Sequence, residues 1–343
     1  MIITDRYTQN MYYFSKKMTP MNYSNDTYKT HDGSELVTYK WGCKQPKAII
    51  HIVHGMSEHA GRYDHFASEA NNQGLIVYSS DLRGHGKTAG NIENVGQFAM
   101  EGGWNKVVKD IIGLSYRIKK ENPKLPIFIL GHSMGSFIAR NVAYTDTEVA
   151  DGYIYSATAG HPGLIGVIGK SVAKINMKLT GRKHRSKFMT KLAFGDFNKK
   201  YKNARTEKDW LTRDEAIIDK YMADPYSMQI FTSQFYTDLL HGVLDMNDFS
   251  NMLQLNKQTP VLLFAGDMDP VGNYGKGPRE VHDKMKRAGV EDIELTIFPE
   301  GRHEMLNETN KEEVYQLVFD WLEKKMHEIT KTFQNDQRKT SSY

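Results

Sequence analysis

The run Pro126-Ile-Phe-Ile-Leu-Gly131-His132-Ser133-Met134-Gly135-Ser136-Phe137 decides how the rest of this chain is read. An apolar strand runs into G-x-S-x-G and then into a helical pattern, which is the signature of a nucleophile elbow. Gly131 and Gly135, two before and two after the serine, let the chain turn sharply and let helix and strand pack closely, so the Ser133 hydroxyl stands at the edge of a sheet. The five-residue pattern alone has roughly 0.1 chance occurrences in a chain of this composition, so its weight comes from the strand before it and the helix after it.

Working outward, short apolar runs alternate with helical ones. Leu36–Trp41, Ala48–Val53, Leu75–Ser80, Pro126–Leu130 and Gly152–Tyr155 read as strands, several apolar on both faces as buried parallel strands are. Between them Arg62–Gln73, Trp104–Glu121 and Met134–Tyr144 have helical spacing. In the second, Trp104, Val108, Ile111, Ser115 and Ile118 fall on one face that can cover a sheet. The alternation stops near Gly160 and resumes with the strand at Val261, followed by helix Arg279–Ala288, strand Ile293–Phe298 and helix Lys311–Lys325. The expectation is an α/β protein with a mostly parallel central sheet flanked by helices: core residues 26–159 and 246–327, an inserted helical cap over 160–245, an N-terminal extension over 1–25, and a polar tail over 328–343.

Length and composition fit that plan. A chain of 343 residues, 39% hydrophobic and 25% charged, has the balance of a globular protein with one large core. The single Cys43 can form neither an internal disulfide nor a structural zinc site, and nothing requires an oxidising compartment, so a cytoplasmic home is expected. The start of the chain has no continuous apolar run, so neither a secretory signal nor a lipoprotein leader is expected, and no apolar stretch is long enough to span a bilayer. The net charge of +4 is local in origin. Eight Lys/Arg and no Asp or Glu lie between His161 and Gly195; taking those eight from the 45 basic residues leaves 37 against 41 acidic ones, unlike a nucleic-acid-binding domain. Within that stretch, 164–191, Lys170, Lys174 and Lys178 step by four through an apolar run. This reads either as a basic amphipathic helix resting on an anionic membrane or as a cap helix with a solvated basic face.

A serine hydroxyl needs a base, and this architecture supplies one late in the chain in the order Ser, Asp/Glu, His. His303, in the loop after the last strand, is the candidate base among thirteen histidines. Asp267 and Asp269 both follow the strand VLLFAG, and spacing does not separate them as the partner that orients the imidazole. Two backbone amides must hold the oxyanion: that of Met134, after the serine, and that of Met56, where Gly55 in His54-Gly55-Met56 lets the chain bend after a strand. His54, Gly55, Gly131, His132 and Gly135 support these loops.

Other readings fare worse. Asp81-Leu-Arg-Gly-His-Gly-Lys87-Thr88 ends like a phosphate loop, but Asp81 stands where glycine is needed and its carboxylate would repel phosphate. His51, His54, His59 and His65 form no closed ligand set, so no metal and no cofactor are expected. Phe231, Phe235, Tyr236, Leu239 and Leu240 read as the cap's own core or as the lining of an acyl tunnel.

Three stretches, His54-Gly-Met-Ser-Glu-His59-Ala-Gly61-Arg62-Tyr63, Asp81-Leu-Arg-Gly-His-Gly86-Lys-Thr and Gly131-His-Ser133-Met-Gly135, resemble the monoglyceride lipase and bacterial lysophospholipase branch of the α/β-hydrolases, which overlaps with the serine aminopeptidases. The resemblance covers about Asp26 to Lys325, strong in the core and weaker in the cap, where Asp209-Trp-Leu-Thr-Arg-Asp214 and Tyr221-Met-Ala-Asp-Pro225 carry it. It implies Asp269 rather than Asp267 as the acid, in Gly266-Asp-Met-Asp269, with His303 as base and Met56 and Met134 as oxyanion donors. It further implies a monoacyl lipid ester, monoacylglycerol or lysophospholipid, as substrate. The alternatives are an aminopeptidase-type peptidase, which would need acidic residues such as Asp209, Asp214, Glu215 and Asp219 gathered around an ammonium group, and a promiscuous short-chain carboxylesterase.

Overall fold

The computed structural model describes residues 23–340 apart from residue 196, with the backbone alone for residue 165 and for residues 332–340. Eight strands form one sheet: β1 (Ser24–Lys29), β2 (Glu35–Trp41), β3 (Ala48–Val53), β4 (Leu75–Ser80), β5 (Ile127–His132), β6 (Gly152–Ser156), β7 (Val261–Gly266) and β8 (Ile293–Phe298). Their order is β1-β2-β4-β3-β5-β6-β7-β8; β1 with β2 and β2 with β4 are antiparallel, and every pair from β4 to β8 is parallel. β3, β4, β5, β6 and β7 are buried throughout, because helices cover both faces of the parallel part.

One face carries α2 (Gly103–Glu121), α3 (Met134–Thr145) and α9 (Lys276–Arg287); the other carries α1 (Asp64–Asn72) and α10 (Lys311–Thr340). The expected face of α2 is buried from Trp104 to Ile118, and its Ser115 hydroxyl bonds the buried His51 ring at 2.8 Å. β1 departs from expectation: its first two residues, Ser24 and Asn25, fall within the expected N-terminal extension, of which residues 1–22 lie outside the described residues. Its residues are almost all exposed, so no apolar alternation marks it, and its place comes from pairing with β2. α10 is longer than expected and runs to Thr340, with Met326 and Ile329 packed against the core beyond Lys325.

Between β6 and β7 the chain forms the cap, α4 (Gly163–Thr180), α5 (Lys187–Phe194), α6 (Glu215–Ala223) and α7 (Ser233–Asp245), and returns to β7 through the single turn α8 (Phe249–Met252). Ser186, Asp214, Thr232 and Asp248 cap the last four with side-chain oxygens on free amides of the first turn. α4 packs along α7, and α7 sits on α2 so closely that a Cβ at Gly242 would overlap the Trp104 ring. Phe231, Phe235 and Tyr236 therefore join the main core with Phe98, Trp104 and His85; they form no separate cap core. A buried Arg140 from α3 grips both ends of the insertion, donating to the Ala159 carbonyl at 2.9 Å, the Met246 carbonyl at 2.9 Å and Asn247 Oδ1 at 3.0 Å. With carbonyls and an amide for partners, burial pushes this guanidinium down to about 10.

Candidate active site

Strand order places the site. β3 leads to β4 on one side and pairs with β5 on the other, so the loops leaving β3 and β5 diverge from adjacent strand ends, with Val53 opposite Gly131. Open α/β sheets bind ligands at such a switch point. Likewise Gly266 of β7 lies opposite Phe298 of β8, which brings the loop holding Asp269 beside the loop holding His303.

Ser133 sits between β5 and α3 with φ +51° and ψ −121°, a left-handed conformation that a serine adopts at a cost of about 1–3 kcal/mol. Its amide donates to the Ser156 carbonyl at 2.9 Å and its carbonyl accepts from the Ser136 amide at 2.8 Å, so the turn is held at both ends. A Cβ at Gly131 would overlap the Gly135 carbonyl, and one at Gly135 would overlap the Val53 carbonyl; the close approach requires both glycines. The loop after β3 comes up beside the serine: a Cβ built on Gly55 would lie 3.2 Å from Ser133 Cβ. The amides of Met56 and Met134 donate to no acceptor among the described residues.

His303 and Asp269 are both buried, and His303 Nδ1 lies 2.9 Å from Asp269 Oδ1, which also accepts the Val271 amide at 2.9 Å. Asp267, two residues earlier, is half-buried and makes no bond to the imidazole. The His303 ring packs against His132 with centroids 4.9 Å apart and against Trp210 of the cap at 5.0 Å. Burial alone would lower the His303 imidazole, but the Asp269 charge and hydrogen bond, with Glu304 and Glu58 behind them, raise its pKa above the ordinary histidine value. His132 and His54 have no such partner, and burial lowers them to about 4 and about 3. His54 is a brace: one ring nitrogen faces the Gly55 carbonyl at 2.8 Å and the other accepts the Leu82 amide at 2.9 Å.

A second layer escaped the sequence reading. Arg62 makes a bidentate bridge to Glu304, at 2.7 and 2.6 Å, and a third bond of 3.0 Å to Glu58. Glu58 in turn accepts the Gly55 amide and, at 2.8 Å, the Tyr63 hydroxyl. One buried ionic cluster thus ties the bend after β3 to the residue following His303. Burial works against the Glu304 carboxylate, yet the Arg62 charge holds it down at about 2. The cap joins in: Arg62 lies 4.8 Å over the Tyr221 ring, and His59 Nε2 meets Asp224 Oδ2 at 2.7 Å. The one local signal was Glu58 and Arg62 four residues apart; Glu304 is 242 positions from Arg62.

Asp81 is structural, its two oxygens taken by the Ala60 and Lys87 amides and the Tyr39 hydroxyl. The cap acids are likewise engaged locally: Asp209 accepts from Arg205 and Thr206, Asp214 caps α6, and Glu215 and Asp219 pair with Arg205. No helix among the described residues is long and apolar enough to cross a membrane.

A monoacylglycerol lipase of Mycolicibacterium smegmatis is 27% identical over 285 residues, 81% of this chain and 88% of its own length. The monoglyceride lipase of Mus musculus is 27% identical over 69% of this chain and 71% of its own. Among solved structures, a thermostable carboxyl esterase from Bacillus coagulans superposes with a TM-score of 0.82 at 25% identity, over 89% of this chain and 99% of that one. Residues 44–310 match the family model described as serine aminopeptidase, S33, and with this sheet, elbow and cap the chain belongs to that family of α/β-hydrolases.

Proposed function

We propose that this protein is a serine esterase that cleaves monoacyl lipid esters, monoacylglycerol or lysophospholipid, to a free fatty acid. The observation that carries the reading is the Asp269–His303 pair, buried and hydrogen-bonded, packed on the residue before a serine held at positive φ. His303 Nε2 takes the Ser133 proton as the hydroxyl oxygen attacks the ester carbonyl, and Asp269 stabilises the imidazolium. The unused amides of Met56 and Met134 hold the oxyanion. Collapse of the tetrahedral adduct expels the alcohol, which takes the proton from His303; water, deprotonated by the same ring, then releases the acid and restores Ser133. These residues need no cofactor for that sequence.

The relatives named monoacylglycerol and monoglyceride lipase support a monoacylglycerol ester. The esterase from Bacillus coagulans supports a second reading, a short-chain carboxylesterase. The local engagement of Asp209, Asp214, Glu215 and Asp219 weighs against the aminopeptidase reading, which needs acids free to meet an ammonium group. The test is hydrolysis of a monoacylglycerol, a lysophosphatidylcholine, a short-chain aryl ester and an aminoacyl amide by wild type and Ser133→Ala. Preference for a long monoacyl ester, lost in the variant, supports the proposal. Turnover of the aryl ester alone selects the carboxylesterase, cleavage of the amide alone the peptidase.

A further inference from the structure

Asp209-Trp-Leu-Thr-Arg-Asp214 carries part of the family resemblance in the cap, and the proposed chemistry leaves it without a task. In the fold this segment is a strap laid along the loop after β8. The His303 amide donates to the Trp210 carbonyl at 3.4 Å and the Glu304 amide to the Leu211 carbonyl at 2.7 Å. Arg302 donates to the Asp209 and Thr212 carbonyls, the Thr212 hydroxyl donates to the Asn307 carbonyl at 3.0 Å, and Arg213 Nε meets the buried Glu308 at 3.0 Å. Every residue from Asp209 to Arg213 is thus bonded to the loop that carries His303. The strap sets the Trp210 side chain against the imidazole: the two rings are 5.0 Å apart between centroids and inclined at 45°. Behind it the indole is wedged by Phe197, edge-on at 4.9 Å, and by Phe194 of α5, stacked at 6.4 Å. His132, at 4.9 Å, is the other ring neighbour of His303 among the described residues. With Nδ1 bonded to Asp269, the freedom left to the imidazole is a swing of its ring, and these two neighbours oppose it.

We infer that Trp210 is a positioning residue for His303: its indole holds the imidazole in the orientation of the Asp269 bond and sets π electrons beside the imidazolium that forms as Ser133 gives up its proton. This role rests on the esterase reading and adds to it a residue from the cap. The other groups facing His303 are Asp269 from the loop after β7, Glu304 on its own loop, Glu58 from the loop after β3 with Arg62 between the two glutamates, and His132 at the end of β5, which burial lowers to about 4. Arg302, next to His303 in the chain, is taken up by the strap carbonyls and the Tyr201 ring, and Asp209 by the Arg205 and Thr206 amides. An aromatic face beside the ring favours its charged form, whereas exclusion of water opposes that form. The two effects differ in sign. Loss of the indole lowers the His303 pKa if the aromatic face dominates and raises it if Trp210 merely keeps water out.

The experiment compares Trp210→Phe and Trp210→Leu with wild type in two measurements on the full chain. One is the titration of the His303 ring, followed by its Cε1–H nuclear magnetic resonance signal in the Ser133→Ala background and identified by its loss in His303→Gln; it requires no turnover. The other is the pH–rate profile on a soluble short-chain aryl ester. Trp210→Leu is expected to lower kcat about 10- to 30-fold with KM changed less than about twofold, and to move both the ring titration and the acid limb of the profile down by about one pH unit. Trp210→Phe, which keeps an aromatic face, is expected to recover most of both. Trp210→Met replaces the Leu variant if that one folds poorly. The inference is overturned if the Leu variant turns over like wild type, if its loss falls on KM, if the ring titration stays in place or moves up, or if Phe does no better than Leu. Should wild type hydrolyse no ester, the esterase reading fails while the titration still tests the contact; should wild type hydrolyse ester, Ser133→Ala not, and the titration stay in place, the role of Trp210 alone fails.

Discussion

Replacing Arg62 by Met removes the charge but keeps most of the volume, and its consequences can be worked through from the geometry. Arg62 satisfies two carboxylates, Glu58 and Glu304, each with only 5% of its side chain exposed, through three bonds of 2.6 to 3.0 Å. Breaking a buried ion pair from one side leaves an uncompensated buried charge and costs about 3–5 kcal/mol. In a chain this long that corresponds to a fall in Tm of roughly 4–7 °C at neutral pH. The pH dependence separates this cause from simple loss of packing. In the wild type Glu304 is held at about 2, below its ordinary value, so its stabilising contribution is complete above pH ~4.5 and fades as pH falls towards 2. In the variant the same buried carboxylate lacks its cation, its pKa rises above the unfolded value, and the penalty is greatest at alkaline pH and relieved in acid. The Tm gap between the two proteins should therefore be wide at pH 8 and narrow at pH 4, and Glu304→Gln should restore part of the lost stability in the Arg62→Met background, Glu58 remaining without its cation. Turnover should fall about 10- to 100-fold, since the cluster holds both the Gly55 bend and the chain beside His303. Calorimetry over pH 4–8 checks this; a gap below about 2 °C at pH 8, or one that does not narrow in acid, refutes the reasoning.

Three further outcomes follow from the same contacts. Asp269→Asn should lower kcat by about 10³- to 10⁴-fold, and because the Asp269 charge raises the His303 pKa, the acid limb of the residual pH–rate profile should move to lower pH; an unmoved limb would assign that limb to another group. His59→Phe and Asp224→Asn each lose one bond between the cap and the loop after β3, about 1–2 kcal/mol, and a double-mutant cycle on Tm should show the pair coupled; additive effects would mean that the cap is held elsewhere. Asp238, buried on α7, has its carboxyl raised to about 6 by burial, so it costs stability as pH climbs from about 4 through 6; Asp238→Asn should raise Tm at pH 8 and leave it unchanged near pH 4.

The parts of the molecule legible in the sequence were those whose signal is local. β3, β5 and β7 are unbroken apolar runs because both faces of the sheet are covered, and the glycines around Ser133 are forced by backbone contacts within a few residues or with the next strand. β1 was missed because Ser24–Lys29 is polar and exposed at the edge of the sheet. Composition cannot mark such a strand. The choice between Asp267 and Asp269 turned on which carboxylate the βα turn aims at the neighbouring loop, a difference that two residues of spacing does not encode. The Arg62 cluster was out of reach for a different reason: its members come from the loops after β3 and β8, brought together only when the sheet is assembled in its final order.

Arg140 bears on how this architecture can change over generations. One guanidinium clasps the chain where it leaves β6 for the cap and again where it returns, so the two ends of the insertion are fixed next to each other whatever lies between. Closing a loop whose ends are already pinned depends only weakly on its length, about 0.6 kcal/mol for each doubling. Segments can be gained, lost or rewritten beyond that clasp without disturbing the register of β6 and β7 or the loops they carry. The cap is thus the part of the chain whose length and sequence can change at least cost to the sheet and to the site loops beneath it.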